Sequence, residues 1–327
     1  MSQESPLHTV RDVAELLRRE DRILVVSHMR PDGDCYGSAT ALMGGLLTLG
    51  KVCAAYNVSG VPKRLSFLPF IDKISDRMPE WTPSVTVFVD CGDTDRVEPD
   101  FKPKGKVINI DHHATNSRFG DLNYIDVETT SVGEQIYYLL KELGVKIDKD
   151  IATGIYTSLS DDSGNFRYPN TSSRTFEIAA ELVALGVKPS EVSQHLYESK
   201  SRQEVDLIGR VLSRIQYGAD GKFAWSEIRW QDYVDVGGPE HEPDGMSSEI
   251  RGIEGVEAAI LFHEQEDGSL RGSARGRGEV DCAAIAENFG GGGHFNAAGF
   301  RISGEDYEKA RDRAVEFVTD SVAKTFG

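Results

Sequence analysis

Long hydrophobic runs are missing from this 327-residue chain, and none approaches the ~20 consecutive apolar residues of a membrane-spanning helix. The start, Met1-Ser2-Gln3-Glu4-Ser5, also lacks the basic and apolar regions of an export signal. Both absences point to the cytoplasm and away from membranes. Cysteine is scarce. Its four occurrences, Cys35, Cys53, Cys91 and Cys282, make no C-x-x-C pair and no regular framework, which argues against a disulfide-stapled secreted domain and against a thiolate zinc site. Cys35 and Cys91 each directly follow an aspartate and read as small packing residues. Positive charge is in deficit, with 36 Lys plus Arg against 53 Asp plus Glu, a net −17. A protein that tracks long nucleic acid replaces counterions along a basic stripe, so no long-duplex binding is expected. A small phosphorylated ligand, held by a few local cations and by metals, remains compatible with this balance.

What is present has the length of two domains and the 39% hydrophobic content of a globular protein. Val10, Val13, Leu16 and Leu17 mark one helical face, and β-like runs at Ile23–Val26, Val52–Asn57, Val85–Val89 and Val107–Ile110 then alternate with helical segments at Gly37–Leu49, Val132–Leu143, Ile151–Leu159 and Ser173–Leu185. This is the pattern of an α/β, doubly wound parallel sheet. The texture changes after Gly186. Residues 190–216 are charged and helical in period and read as a connecting helix, whereas 217–327 opens a smaller α/β region with strands near Phe223–Ile228, Ala258–Phe262, Leu270–Ala274 and Phe300–Ile302. The expected division is therefore 1–189, a helical linker at 190–216, and 217–327.

Three of the first region's apolar runs end in groups that hold metals. The first delivers His28, Asp32 and Asp34 in the spacing H-x-x-x-D-x-D, the run at Val85–Val89 delivers Asp90, and the run at Val107–Ile110 delivers Asp111-His112-His113. Strand ends of an open parallel sheet share one crevice, and clustered carboxylates need a cation to relieve their repulsion. Oxygen ligands mixed with imidazole favour Mn²⁺ or Mg²⁺ over structural zinc. A fourth acidic cluster, Asp161-Asp162-Ser163-Gly164-Asn165, supplies a further carboxylate at Asp162. Downstream, Gly290-Gly291-Gly292-Gly293-His294 offers bare backbone N–H groups to an anion, with His294 and Asn296 adding side-chain hydrogen bonds. Arg271, Arg275 and Arg277 form a local basic cluster, from which Arg275 is a candidate phosphate clamp.

Taken in order, His28-x-x-x-Asp32-x-Asp34, Asp90, Asp111-His112-His113 and Asp162-Ser163-Gly164-x-Phe166 resemble the four motifs of the DHH phosphoesterase superfamily. Gly290–His294 through Ala297-Ala298-Gly299 resembles the signature of its DHHA1 substrate-binding domain. The two-domain layout is similar to the oligoribonuclease/pAp-phosphatase (nanoRNase) branch. The resemblance implies a DHH domain joined by the helical linker to a DHHA1 domain. It implies a phosphohydrolase that degrades very short oligonucleotides to mononucleotides and dephosphorylates pAp to AMP, using two divalent cations, Mn²⁺ ahead of Mg²⁺ or Co²⁺. His28, Asp32 and Asp90 would bind one metal, and Asp34, Asp90, His112 and Asp162 the other. His113 would stabilise charge or donate a proton at the scissile phosphate, with Asp111 orienting the histidine pair. Arg275, Gly291, Gly292, Gly293, His294 and Asn296 would hold the substrate.

Other activities of the same fold stay open at this point, among them a cyclic- or linear-dinucleotide phosphodiesterase, a single-strand exonuclease and a pyrophosphatase. An exonuclease calls for an added basic, aromatic strand-binding module, which this acidic chain does not show. A nucleotide-binding module without catalysis would not need the complete ligand set. The expected partners are short RNA or DNA oligomers and pAp, and a homodimer is left open.

Overall fold

The computed structural model describes residues 7–243 and 245–326, and the side chain of His294 lies outside that description. The chain divides into two compact units, Met1–Ser199 and Lys200–Gly327. The first contains α1 (Val10–Arg19), β1 (Arg22–Ser27), α2 (Gly33–Thr48), β2 (Val52–Tyr56), β3 (Ile74–Ser75), β4 (Val85–Val89), β5 (Lys106–Asp111) and β6 (Leu122–Ile125), followed by α3 (Val132–Leu143), α4 (Lys149–Asp162), α5 (Ser173–Ala184) and α6 (Pro189–Tyr197). Its six strands form a wholly parallel sheet in the order β3-β2-β1-β4-β5-β6. Strands β1 and β4 are runs of apolar residues because both of their faces are covered. Ile23 and Val25 join Leu42, Leu46, Ile136 and Ile155 on the helical side, while Leu24 and Val26 pack with Phe88, Val97 and Phe101 on the other. The strand order reverses between β1 and β4, where open α/β sheets leave a crevice at their carboxyl ends.

Two helices bring the remaining acids to that crevice. α2 and α4 pack antiparallel at close range: a Cβ on Gly37 would lie 2.5 Å from the Gly154 carbonyl oxygen, and one on Gly154 would lie 2.7 Å from that of Gly37. Neither position has room for a side chain, so the pair of glycines sets the helix separation. The N-terminus of α2, with Asp32 as its cap and Asp34 in its first turn, consequently meets the C-terminus of α4, which ends in Asp161 and Asp162. α2 starts at Gly33, earlier than the expected Gly37, because the Asp32 side chain accepts the Cys35 N–H at 2.9 Å and caps the helix there.

The second unit contains α7 (Arg202–Ser213), β7 (Gln216–Gly218), β8 (Phe223–Ile228), α8 (Trp230–Val236), α9 (Met246–Arg251), β9 (Ala258–Glu264), β10 (Leu270–Gly276), α10 (Cys282–Glu287), β11 (Gly292–His294), β12 (Ala297–Ile302) and α11 (Tyr307–Phe326). Its sheet runs β11-β12-β10-β9-β8-β7, antiparallel except for the β8–β9 pair. Residues 190–216, expected as one connecting helix, instead form all of α6 after Pro189, a break at 198–201, α7 and the start of β7. Ser201 caps α7 in a reciprocal capping box with Glu204, and Leu207 and Val211 are buried with Ala224, Ile228 and Tyr233. α7 therefore packs as part of the second unit. Among the described residues no helix is long and apolar enough to cross a membrane.

Candidate metal centre

Each donor stands at an element end. His28 follows β1, Asp90 follows β4, and Asp111 closes β5 ahead of His112 and His113. Because β1 and β4 are neighbours, His28 Nε2 reaches Asp90 Oδ2 at 3.1 Å, and it lies 3.9 Å from Asp32 Oδ1. His112 Nε2 lies 3.2 Å from Asp162 Oδ2 and 3.7 Å from Asp34 Oδ2. His113 Nδ1 is 2.8 Å from Asp111 Oδ1 and 3.6 Å from Asp90 Oδ1. Asp90 is thus common to both histidine clusters. It adopts a left-handed backbone with φ of 57°, a conformation disfavoured for a residue with a Cβ, which marks the tight exit from β4.

The electrostatics are those of a site built for cations. Burial, and then the charges of Asp34, Asp32, Asp162 and Asp111, push the Asp90 carboxyl well above its usual range. Burial and the neighbouring aspartates do the same to Asp162. Burial also raises Asp34, against the opposing pull of His112 and of its hydrogen bonds. Asp90 Oδ1 is buried with no hydrogen-bond partner among the described residues. An orphaned carboxylate oxygen among repelling carboxylates costs stability unless a cation meets it. Asp111 differs: burial opposes its charge, yet the hydrogen bond and charge of His113 and the Asn116 amide hold it below the usual carboxylate range. The same hydrogen bond raises His113.

Residues 22–159 match the DHH family, N-terminal domain, and residues 233–323 match the DHHA1 domain. A bifunctional oligoribonuclease and PAP phosphatase NrnA from Thermus thermophilus is 35% identical over 317 residues, which is 96% of this chain and 95% of that protein. The chain belongs to the DHH family. The protein of the same name from Bacillus subtilis is 30% identical over 286 residues, 86% of this chain and 90% of its own. Among solved structures, an exopolyphosphatase-related protein from Bacteroides fragilis superposes with a TM-score of 0.88 at 25% identity, covering 96% of this chain and 97% of that one.

Within this DHH chain, the structure brings His28, Asp32, Asp34, Asp90, Asp111, His112, His113 and Asp162 together in the first unit. The remaining candidates gather at one end of the second unit's sheet. Arg275 pairs with Ala297 across β10–β12, the backbone of His294 pairs with Ala297 across β11–β12, and the Gly276 N–H donates to the Asn296 carbonyl at 2.9 Å. Gly292 faces open space, whereas a Cβ on Gly291 or Gly293 would strike β12, at the Gly299 and Ala297 carbonyl oxygens. Close strand packing accounts for two of the four glycines. Arg271 is engaged by Glu242 and Arg277 is exposed, so the basic cluster separates into different environments.

Several supporting residues escape a reading of the sequence. Asp34 is held by the Ser158 hydroxyl at 2.6 Å and by the N–H groups of Val132 and Gly133 at the start of α3, at 3.0 and 3.3 Å. Ser131 Oγ in turn lies 2.8 Å from Ser158 Oγ. Asp161 Oδ2 accepts the Gly33 N–H at 2.6 Å, and its other oxygen lies 3.9 Å from Arg64. Burial and the charge of Asp32 push its carboxyl up to about 6. The one available sequence signal was spacing: Ser158 precedes Asp162 by four residues and shares its helix face.

Proposed function

We propose that this DHH protein is a metal-dependent phosphohydrolase that releases mononucleotides from very short oligonucleotides and removes a phosphate from pAp. The names carried by the Thermus thermophilus and Bacillus subtilis relatives support this reading at near full-length coverage. The observation that carries it is Asp90, whose orphaned, buried oxygen stands where the ends of β1, β4 and β5 meet two histidine–aspartate clusters.

The donors fit divalent cations that accept carboxylate and imidazole, Mn²⁺ foremost, with Mg²⁺ or Co²⁺ as alternatives. His28, Asp32 and Asp90 would hold one cation, and Asp34, Asp90, His112 and Asp162 a second. Bound cations supply Lewis acidity at the phosphoryl oxygen and lower the pKa of an attacking water. The protein's own groups do the rest. Thr129 C=O, 3.3 Å from His112 Nδ1, fixes that ring so that Nε2 faces Asp34 and Asp162. Asp111 accepts from His113 Nδ1 and stabilises its protonated form, leaving Nε2 to carry a proton towards the phosphate. Arg275, His294, Asn296 and the glycines at 291–293 belong to the substrate-holding part in this proposal, with residues 1–189 carrying the chemistry.

Purified protein supplied with Mn²⁺ and a panel of pAp, di- to pentanucleotides, cyclic di-AMP and pyrophosphate tests it directly. The expected ranking by kcat/KM puts pAp and the shortest linear oligomers first. Preference for pyrophosphate or for cyclic di-AMP would replace this reading with another activity of the fold.

A further inference from the structure

We infer that Arg251 is a second phosphate-binding arginine of this protein, standing beside Arg275 and taking a phosphate other than the one hydrolysed. The inference rests on the functional reading above and deepens it, because it names what tells one nucleotide substrate from another. Arg251 is the last residue of α9 and is half-buried. Its Nε is shielded from solvent with no hydrogen-bond partner, and its guanidinium makes no ion pair among the described residues. Arg214, Arg229, Arg271 and Arg311 of the same unit are also half-buried, and each of them pairs with an acid. A buried donor on a cation is costly to leave unmet, so the unmatched Nε is the mark of an anion that comes from outside the chain.

The sheet places that anion beside the substrate-holding candidates. Ala274 of β10 packs with Ile260 and Phe262 on one face, and side chains alternate along a strand, so Arg275 stands on the opposite face. α9 covers that same face, where its Ile250 packs with Ala259 and Leu261 of β9. Both arginines also bear on the Cys282 thiol: burial raises it to about 11, and the charges of Arg275 and Arg251 draw it down. Asp281 reaches the same thiol, but its carboxylate caps α10 on the Ala284 N–H at 3.0 Å and makes no ion pair with Arg251. The Gly276 N–H, donated to the Asn296 carbonyl at 2.9 Å, ties this end of β10 to the segment after the glycines. Paired guanidinium groups suit the several oxygens of a phosphate. In the functional reading the scissile phosphate belongs to the cations, whose candidate donors all lie in the first unit. The arginine pair of the second unit takes a different one, the remaining phosphate of pAp or a terminal phosphate of an oligonucleotide.

Calorimetry on the full chain, treated with chelator, compares AMP with adenosine, which differ by one phosphate. Wild type should bind AMP about 10- to 150-fold more tightly, the range expected for charged hydrogen bonds to phosphate, and Arg251→Met should lose most of that preference. Arg251→Lys, which keeps the charge without the fork, should recover part of it. With Mn²⁺ present, the kcat/KM ratio of a 5′-phosphorylated dinucleotide to its unphosphorylated counterpart should fall by a similar factor in Arg251→Met. The ligand-free Arg251→Met protein should melt no lower than wild type, because Met keeps the apolar stem and removes the unmet donor. A wild type that binds AMP and adenosine equally overturns the inference without any variant. An Arg251→Met protein that melts lower and loses both dinucleotides equally overturns it too, since that is the behaviour of a purely structural arginine. If wild type hydrolyses no nucleotide while Arg251→Met still loses the AMP preference, the functional reading falls and the phosphate site stands.

Discussion

At Asp90 the requirements of folding and of chemistry oppose each other. The residue combines a left-handed backbone, a buried carboxylate and several like-charged neighbours, each of which works against the folded state in the absence of a cation. Asp90→Asn keeps the shape and deletes the repulsion. In metal-free protein it should raise the Tm, by about 2–4 °C for each kcal/mol of relieved repulsion in a unit of this size, while abolishing Mn²⁺-dependent hydrolysis. Differential scanning calorimetry beside a turnover assay reads both, and near-normal turnover would sink the shared-ligand assignment. The adjacent histidines should part company. His112 reaches Asp34 and Asp162, so His112→Ala should lose bound metal. His113 is oriented by Asp111, so His113→Ala should keep metal and lose about 10²–10³ in kcat. Equal metal loss in the two variants would mean that their roles are misassigned. The candidate donors were legible because His28, Asp90 and the Asp111-His112-His113 triplet each follow a recognisable apolar run. The supporting contacts of Ser158, Asn116 and Asp161 were not, since helix spacing or membership of an acidic cluster does not tell which group each one meets: Ser158 meets Asp34 only because α2 and α4 approach closely across 124 residues of chain.

Among the elements, α7 shows what periodicity alone misassigns. Its charged surface reads as a solvated linker, but Leu207 and Val211 are buried, and Arg210 and Arg214 converge on Asp232 of α8. The Ser201-x-x-Glu204 capping box was present in the sequence and marks the true start of the second unit's packing. A fragment of residues 200–327 should therefore unfold cooperatively, and one of residues 217–327 should be weaker by about 3–6 kcal/mol, from ~1.5–3 kcal/mol for each buried aliphatic side chain removed. Urea titrations of both decide it, and equal midpoints would restore the linker reading. Asp232 adds a pH signature. Burial opposes its charge, but Arg214, the Arg229 N–H and Arg210 hold its carboxyl down at about 2. The folded pKa lies below the unfolded value of ~3.9, so the stabilisation is present above pH ~4 and is lost as pH falls towards about 2. The Tm gap between wild type and Asp232→Asn should stay constant from neutrality to pH ~4 and close below it. A gap that widens on acidification would contradict this sign.

At the scale of the whole molecule, the net charge of −17 and the disposition of the arginines act together. In the second unit Arg229 pairs with Glu227, Glu264 and Glu308, Arg301 with Asp267, Arg311 with Glu227 and Asp312, and Arg271 with Glu242. Cations committed to neighbouring acids add little to the long-range field, so a polyanion approaching this protein meets net repulsion. The strand-end candidate donors and the acid excess, both visible in the sequence, thus lead to one expectation that no single residue shows: the enzyme should gain from one or two phosphates held at its site and should gain little from the rest of a long strand. Each phosphate neutralised on a single strand contributes a slope of ~0.7 in log affinity against log salt. Hydrolysis of a dinucleotide should therefore weaken with KCl at a slope no steeper than about 0.7–1.4, and lengthening the oligomer to about 20 nucleotides should lower kcat/KM without steepening it. Steady-state kinetics over a salt series at fixed Mn²⁺ measures both. A slope of about 4 or more, equivalent to six or more phosphates, together with faster turnover of the longer strand, would show that the acidic chain conceals a tracking surface and that the short-substrate reading is wrong.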